Sequence, residues 1–369
     1  MDEKRALLSW FPALAEQVRF FPLGAFPTPL ERMTKLEEAI GAGPLYVKRE
    51  DLTATGFGGN KVRTLEGLFA VALERGAKQI WTTGAYGSNH AVCMAAHAPR
   101  AGLRSGALLF PQPVTRTAQN NLRALVAFGC ELRPVAHAVT LPAAMLALEI
   151  EDRRKRAGHY VMVPGGAVPK GAFGHVSAAL ELAEQIARDG LEPPAHLVLA
   201  IGSTCTTAGL LVGLALAARL GLGFSQPPLI HAVRVTPWPV TSAPNTLRLA
   251  LATAKALERR LGRIAALSYR ELAKHLRIET RFFGGGYGVP VEGGAEAGRL
   301  FEAAGGPWVD EVYAEKSAAA FLALARERRD GPLLYWTTRA TQPLPTPSAD
   351  DLAHIPRPFR RFLGEEPLK

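Results

Sequence analysis

Lys61 follows two glycines and an asparagine in Gly58-Gly59-Asn60-Lys61-Val62-Arg63, downstream of Lys48-Arg49-Glu50-Asp51-Leu52. Behind it Val62, Leu65, Leu68, Phe69 and Ala72 recur at helical spacing, which places the lysine at a helix entrance. The unpaired N–H groups there carry partial positive charge and favour the free amine over the ammonium. A free amine attacks aldehydes, so Lys61 is placed to form a Schiff base; a solvated surface lysine is the alternative that its residue type alone suggests.

Three other segments bear on the choice. A strand-like run at 78–83 leads through Gly84-Ala85-Tyr86-Gly87 into Ser88-Asn89-His90, which opens a helix of small residues. Ser88 is expected to cap that helix, either as an ordinary cap or beside N–H groups that receive a carboxylate. The apolar run at 196–201 delivers Gly202, Ser203, Thr204, Cys205, Thr206 and Thr207 to a second helix start. A buried parallel strand, a loop of glycine and hydroxyl residues and then a helix is how backbone amides are aimed at a phosphate. The loop matches neither the Walker pattern nor Gly-x-Gly-x-x-Gly, so a nucleotide is not indicated. The third segment comprises two turns, Gly284-Gly285-Gly286-Tyr287-Gly288 and Asp310-Glu311-Val312-Tyr313, each of which holds a tyrosine whose hydroxyl either faces a site or packs half-buried. An amine for an aldehyde and a loop for a phosphate together point to pyridoxal phosphate.

The elements that must position these residues alternate. Strand candidates at 78–83, 103–110, 131–135, 160–163, 196–201, 229–235 and 333–337 are separated by helical patterns, which predicts an α/β protein with parallel sheets covered by helices on both faces. At 369 residues the chain allows about two domains, and an apolar content of 48% marks a globular protein. The net charge of +10 comes from dispersed basic clusters (Arg153-Arg154-Lys155-Arg156, Arg259-Arg260, Arg360-Arg361) without a zinc-finger or aromatic-basic motif, so a solvated basic face is expected and not a nucleic-acid partner. Cys93, Cys130 and Cys205 are too few and scattered for a disulfide framework, and the histidines besides His90 show no metal-ligand spacing. The start is too short and too soon broken by Pro12 for a secretory segment, and no apolar run reaches the ~18 residues that span a bilayer. No membrane contact and a cytoplasmic location are therefore expected.

Gly-Gly-Asn-Lys at 58–61, Ser-Asn-His at 88–90, Pro164-Gly165-Gly166-Ala167 with Gly171-Ala172-Phe173-Gly174, Thr-Ala-Gly-Leu at 207–210, Tyr-Gly-Val-Pro at 287–290 and Asp-x-Val-Tyr at 310–313 stand in one order over about 27–336. The chain thereby resembles the 1-aminocyclopropane-1-carboxylate deaminase and D-cysteine desulfhydrase group, pyridoxal-phosphate enzymes with the tryptophan-synthase-β-like fold. The resemblance implies two open, mostly parallel twisted sheets, and a small inserted domain at 52–163. The large cofactor-binding domain would comprise 1–51 and 164–369, with an extended tail from about 339. It implies Lys61 as the Schiff-base and proton-transfer lysine, Asn60 beside the cofactor, and Ser88 and Asn89 facing the substrate, Asn89 near the ring oxygen. Gly202, Ser203, Thr204, Cys205, Thr206 and Thr207 would cradle the phosphate, and Tyr287 and Tyr313 would flank a small amino-acid substrate. A homodimer is the expected assembly.

The departures from the group's pattern are specific. Gly87 stands where Gln is usual, Val92 where Arg is usual, Thr204-Cys205 where the phosphate loop has an inner glycine, and Thr337-Thr338-Arg339-Ala340 where a His-x-Gly-Gly turn ends the last strand. After Tyr313 the deaminases place a glutamate against the pyridine nitrogen and the desulfhydrases a threonine; here the residue is Ala314, which can do neither. Glu315 is about 100° further round a helix. A weak electron sink favours β-elimination of a good leaving group over opening of a cyclopropane ring, so D-cysteine desulfhydrase-like chemistry is expected. Cyclopropane deamination, or cofactor binding without turnover, is the alternative.

Overall fold

The apolar run at 196–201 is buried along its whole length, as a strand covered on both faces must be. In the computed structural model, which describes residues 5–286, 289–310, 314–327 and 330–364, it is one of ten strands among the described residues: β1 (Leu30–Arg32), β2 (Leu45–Lys48), β3 (Gln79–Ala85), β4 (Arg104–Phe110), β5 (Glu131–Pro134), β6 (His159–Val161), β7 (His196–Ile201), β8 (Leu229–Arg234), β9 (Leu276–Glu279) and β10 (Leu333–Trp336). One sheet has the order β1-β2-β10-β7-β8-β9, parallel except for β1 against β2, and the other the order β5-β4-β3-β6, parallel throughout. The expected α/β architecture with two mostly parallel sheets is thus what the chain forms. Three short strands, β1, β2 and β9, were absent from the expected set.

The chain divides into two compact units, Met1–Gly67 with Ala167–Thr341 and Leu68–Gly166 with Gln342–Lys369. The first holds the six-stranded sheet and the second the four-stranded one. These bounds differ from the expected 52–163 insertion: residues 52–67 go with the first unit, and the division falls inside the Lys61–Glu74 helix. The last residues are also not an extended tail of the large domain. They go with the second unit and form two short helices, Ala349–Ala353 and Arg357–Leu363, because Phe359, Phe362 and Leu363 recur at helical spacing and bury one face among the arginines.

In the first unit, helices whose starts carry the site motifs close on one another through glycine. A Cβ on Gly174 would stand 2.1 Å from the Arg63 carbonyl oxygen, and one on Gly209 would stand 2.5 Å from that of Ala172. The Pro169–Asp189 helix therefore touches, backbone to backbone, both the Lys61–Glu74 and the Cys205–Arg219 helices.

Candidate active site

Lys61 is the first residue of its helix and is half-buried. Its approach is set by Gly59, whose φ of +94° an L side chain rarely adopts, and whose Cβ would meet the Ala340 nitrogen at 3.0 Å. Gly59 N–H donates to Glu50 O (3.0 Å) and Asn60 N–H to Thr338 O (3.3 Å), so the segment before Lys61 is pinned to the turn after β10. The Asn60 side chain, buried, donates through Nδ2 to Thr206 Oγ1 at 2.9 Å. The lysine entrance and the hydroxyl loop, 146 residues apart in the chain, are thus joined by one hydrogen bond.

The loop between β7 and the Cys205–Arg219 helix turns through Thr204, which holds φ +67°, the left-handed region for which the expected inner glycine would be suited. Thr206 Oγ1 also meets His175 Nε2 at 3.3 Å, and Thr64 Oγ1 meets the same nitrogen at 2.9 Å. The Thr207 hydroxyl is buried with no hydrogen-bond partner among the described residues. A phosphate dianion fits such a loop: its oxygens would accept the unanswered Thr207 hydroxyl and the amides of the helix start. Cys205 does not suit a nucleophile, since burial pushes its thiol up to about 11 against the pull of Lys61.

His175 is one of the histidines without metal-ligand spacing. It is fully buried between the two helix starts, and burial first, then Lys61 and Arg63, holds it well below the usual histidine range, so it is neutral. A sequence signal existed: it directly follows the Gly171-Ala172-Phe173-Gly174 run that brings the helices together. Below pH about 6.5 the unfolded chain takes up a proton that folded His175 refuses, so stability is complete above that pH and falls by about 1.4 kcal/mol per unit below it. Urea unfolding at about pH 7.5 and about pH 5.5 should therefore cost the native chain roughly 1.4 kcal/mol more than His175→Gln. Equal losses would show that folded His175 takes up the proton.

A buried cluster of four charges lies behind Lys61. Arg63 donates to Glu50 (2.6 and 2.7 Å) and to Glu181 (2.9 and 3.0 Å), while Lys48 Nζ donates to Glu181 Oε1 (2.6 Å), Gln185 Oε1 and the Thr28 carbonyl. Although burial works against it, Arg63 and Lys48 hold the Glu181 carboxyl below the usual carboxylate range. Glu50 thus anchors the helix that begins at Lys61 directly, and Lys48 supports it through the Glu181 carboxylate that Arg63 shares.

Ser88 and Asn89 lie in the second unit. Ser88 caps the Asn89–His97 helix, its Oγ accepting from Ala91 N at 3.3 Å, and Asn89 Oδ1 accepts from Asn121 Nδ2 at 2.7 Å. Gly87, the departure from the group's glutamine, is required here: a Cβ would stand 2.5 Å from that of Ala118. Tyr86 is gripped by the C-terminal helix, edge to face with Phe359 and Phe362 at centroid distances of 4.8 and 5.1 Å.

Tyr287 and Tyr313 lie outside the described residues. Their flanks are described: Lys316 Nζ donates to the Gly286 carbonyl at 2.8 Å, and burial lowers this amine to about 8. Ala314 opens the Ala314–Glu327 helix and is buried, its N–H donating to Asp310 Oδ2 at 3.2 Å, while Asp310 is also paired with Arg339 at 3.1 Å. Glu315 turns toward the start of the Gly294–Ala303 helix, where its Oε2 would stand 2.9 Å from a Cβ on Gly294.

Comparison with known proteins places these features in a family. Residues 22–336 match the family model of pyridoxal-phosphate dependent enzymes. The chain is 35% identical to the D-cysteine desulfhydrase of Salmonella choleraesuis (strain SC-B67) over 322 residues, and equally to that of Salmonella schwarzengrund (strain CVM19633) over 320, covering 84% of this chain and 90% of each relative. It superposes on the crystal structure of an ACC deaminase homologue with a TM-score of 0.72 and 27% identity, over 92% of this chain and 96% of that one. The processed threonine deaminase isoform 2 of Solanum lycopersicum shares the fold at 16% identity and a TM-score of 0.54, over 99% of this chain and 95% of that one. With the lysine at its helix entrance and the hydroxyl loop beside it, the chain belongs to the pyridoxal-phosphate dependent enzymes.

Proposed function

We propose that the protein catalyses D-cysteine desulfhydrase-like β-elimination, converting a small amino acid with a good β-leaving group into a 2-oxo acid and ammonia. In this reading Lys61 binds the cofactor and moves the proton at the substrate Cα, Asn60 and the 202–207 loop hold the cofactor, Ser88 and Asn89 receive the substrate, and Tyr287 and Tyr313 flank it. Pyridoxal phosphate, when bound, supplies the electron sink. The unit formed by Met1–Gly67 and Ala167–Thr341 would hold it, in a cytoplasmic homodimer.

The observation that carries the choice of substrate is the surroundings of Ala314. Its methyl group cannot meet a pyridine nitrogen, Glu315 turns toward another helix, and Asp310 is engaged by Ala314 N–H and Arg339. A ring without an acid partner is a weaker sink, and ring opening depends on that sink more than departure of a thiolate does. The 35% identity to D-cysteine desulfhydrases agrees.

Pyruvate and ammonia release should therefore be measured with D-cysteine, β-chloroalanine and 1-aminocyclopropane-1-carboxylate, first for the native protein and then for Ala314→Glu. The first two are expected to turn over and the third not. Efficient turnover of the cyclopropane compound by the native protein would overturn the reading. Inactivity toward every β-substituted amino acid would favour a cofactor-binding protein without turnover, which the altered turn after β10 also suggests.

A further inference from the structure

The polar array under the 202–207 loop has a direction that its proton count determines. His175 is neutral and carries one ring proton. Nδ1 is buried without a hydrogen-bond partner among the described residues, and Nε2 faces Thr64 Oγ1 at 2.9 Å and Thr206 Oγ1 at 3.3 Å. A proton on Nδ1 would be a buried donor with no acceptor, whereas a proton on Nε2 leaves only a lone pair unmatched, so the Nε2–H tautomer is the one this environment selects. The single Nε2–H forks between the two hydroxyl oxygens, the shorter arm to Thr64 Oγ1 and the longer to Thr206 Oγ1, and Thr64 turns its own hydrogen toward Cys205 Sγ, 3.9 Å away. Thr206 Oγ1 receives two donors, Asn60 Nδ2–H and His175 Nε2–H. A hydroxyl has two acceptor positions and one hydrogen, and with both positions filled Thr206 acts only as a donor, with no acceptor among the described residues.

We propose that His175 is a positioning residue for the cofactor phosphate: with Asn60 it fills both acceptor positions of the Thr206 hydroxyl, so that the Thr206 hydrogen is presented to the phosphate beside that of Thr207. The proposal rests on the reading of 202–207 as the phosphate loop. It assigns to the Pro169–Asp189 helix, which carries none of the residues expected to touch the cofactor, a part in choosing a phosphorylated ligand. His175→Leu removes the Nε2 donor without adding charge. His175→Gln restores an amide donor at the reach of Nε2, and His175→Asn places one only at the reach of Nδ1.

The test is equilibrium dialysis of native and variant protein with pyridoxal 5′-phosphate and, separately, with pyridoxal, which has the aldehyde and the ring but no phosphate. His175→Leu and Thr206→Val should each weaken pyridoxal phosphate binding about tenfold more than they weaken pyridoxal binding, because a bond made only to the phosphate is lost. His175→Gln should bind both ligands as the native chain does. If His175→Leu does not fold, the glutamine and asparagine variants carry the test, with the tenfold loss expected in asparagine alone. Equal weakening of both ligands would show a merely structural role and overturn the proposal. Selective loss in Thr206→Val without loss in the His175 variants would also overturn it while leaving the phosphate loop standing. No selective loss in Thr206→Val would remove the loop reading and the proposal with it.

Discussion

Replacing Lys61 with alanine is expected to lower D-cysteine turnover by ~10²–10⁴-fold, the usual contribution of a positioned proton-transfer group, and to abolish covalent capture of the cofactor by borohydride. The reason is positional. Gly59 and Asn60 fix the chain before the helix through the Glu50 and Thr338 carbonyls, and Asn60 ties it to the hydroxyl of Thr206 in the 202–207 loop. Peptide mapping after borohydride reduction should find the pyridoxyl group on Lys61. The informative competitor is Lys316, the amine that burial lowers to about 8. A label there, or turnover that survives in Lys61→Ala, would refute the assignment.

The largest effect on stability is expected from Arg63→Leu, at about 3–5 kcal/mol, because it leaves the buried Glu50 carboxylate without its cation while Glu181 keeps Lys48. Arg63 and Glu50 are 1% and 0% exposed, so water cannot take the place of the lost partner. The control is the double replacement Arg63→Leu with Glu50→Leu, which removes the stranded charge together with its partner and should recover at least about 1 kcal/mol of the loss. Urea unfolding of the three proteins measures both. A cost under about 1 kcal/mol for Arg63→Leu would mean that the cluster does not support the helix start, and a double variant less stable than the single one would mean that the pair is worth more than its desolvation cost.

The C-terminal segment shows where local reading stops. Its prolines at 343, 345, 347, 356 and 358 suggest an extended tail, since proline interrupts backbone hydrogen bonding. Yet Phe359 and Phe362 are buried against Tyr86, two residues before Ser88. Spacing revealed that the phenylalanines share a face, but not which surface would cover it. The missed strands have a similar cause. β2 is four residues long and ends in Lys48, whose charge reads as surface until Glu181, 133 residues away, is brought to 2.6 Å.

The sequence by itself determined the α/β class, the family, the cofactor and the positions of the motifs, because these depend on local periodicity and on residue types that few chemistries share. Strand β7 was legible to the residue, since a strand buried on both faces must be continuously apolar. The helix after Lys61 was legible through its apolar spacing. Only the tertiary structure decided which polar residues meet. His175 came to the 202–207 loop because Gly174 and Gly209 let three helices touch, and it became neutral because that contact removes water and adds Lys61 and Arg63 as neighbours. Charge state, tautomer and hydrogen-bond direction belong to the surroundings of a side chain, and those surroundings were assembled from segments more than a hundred residues apart.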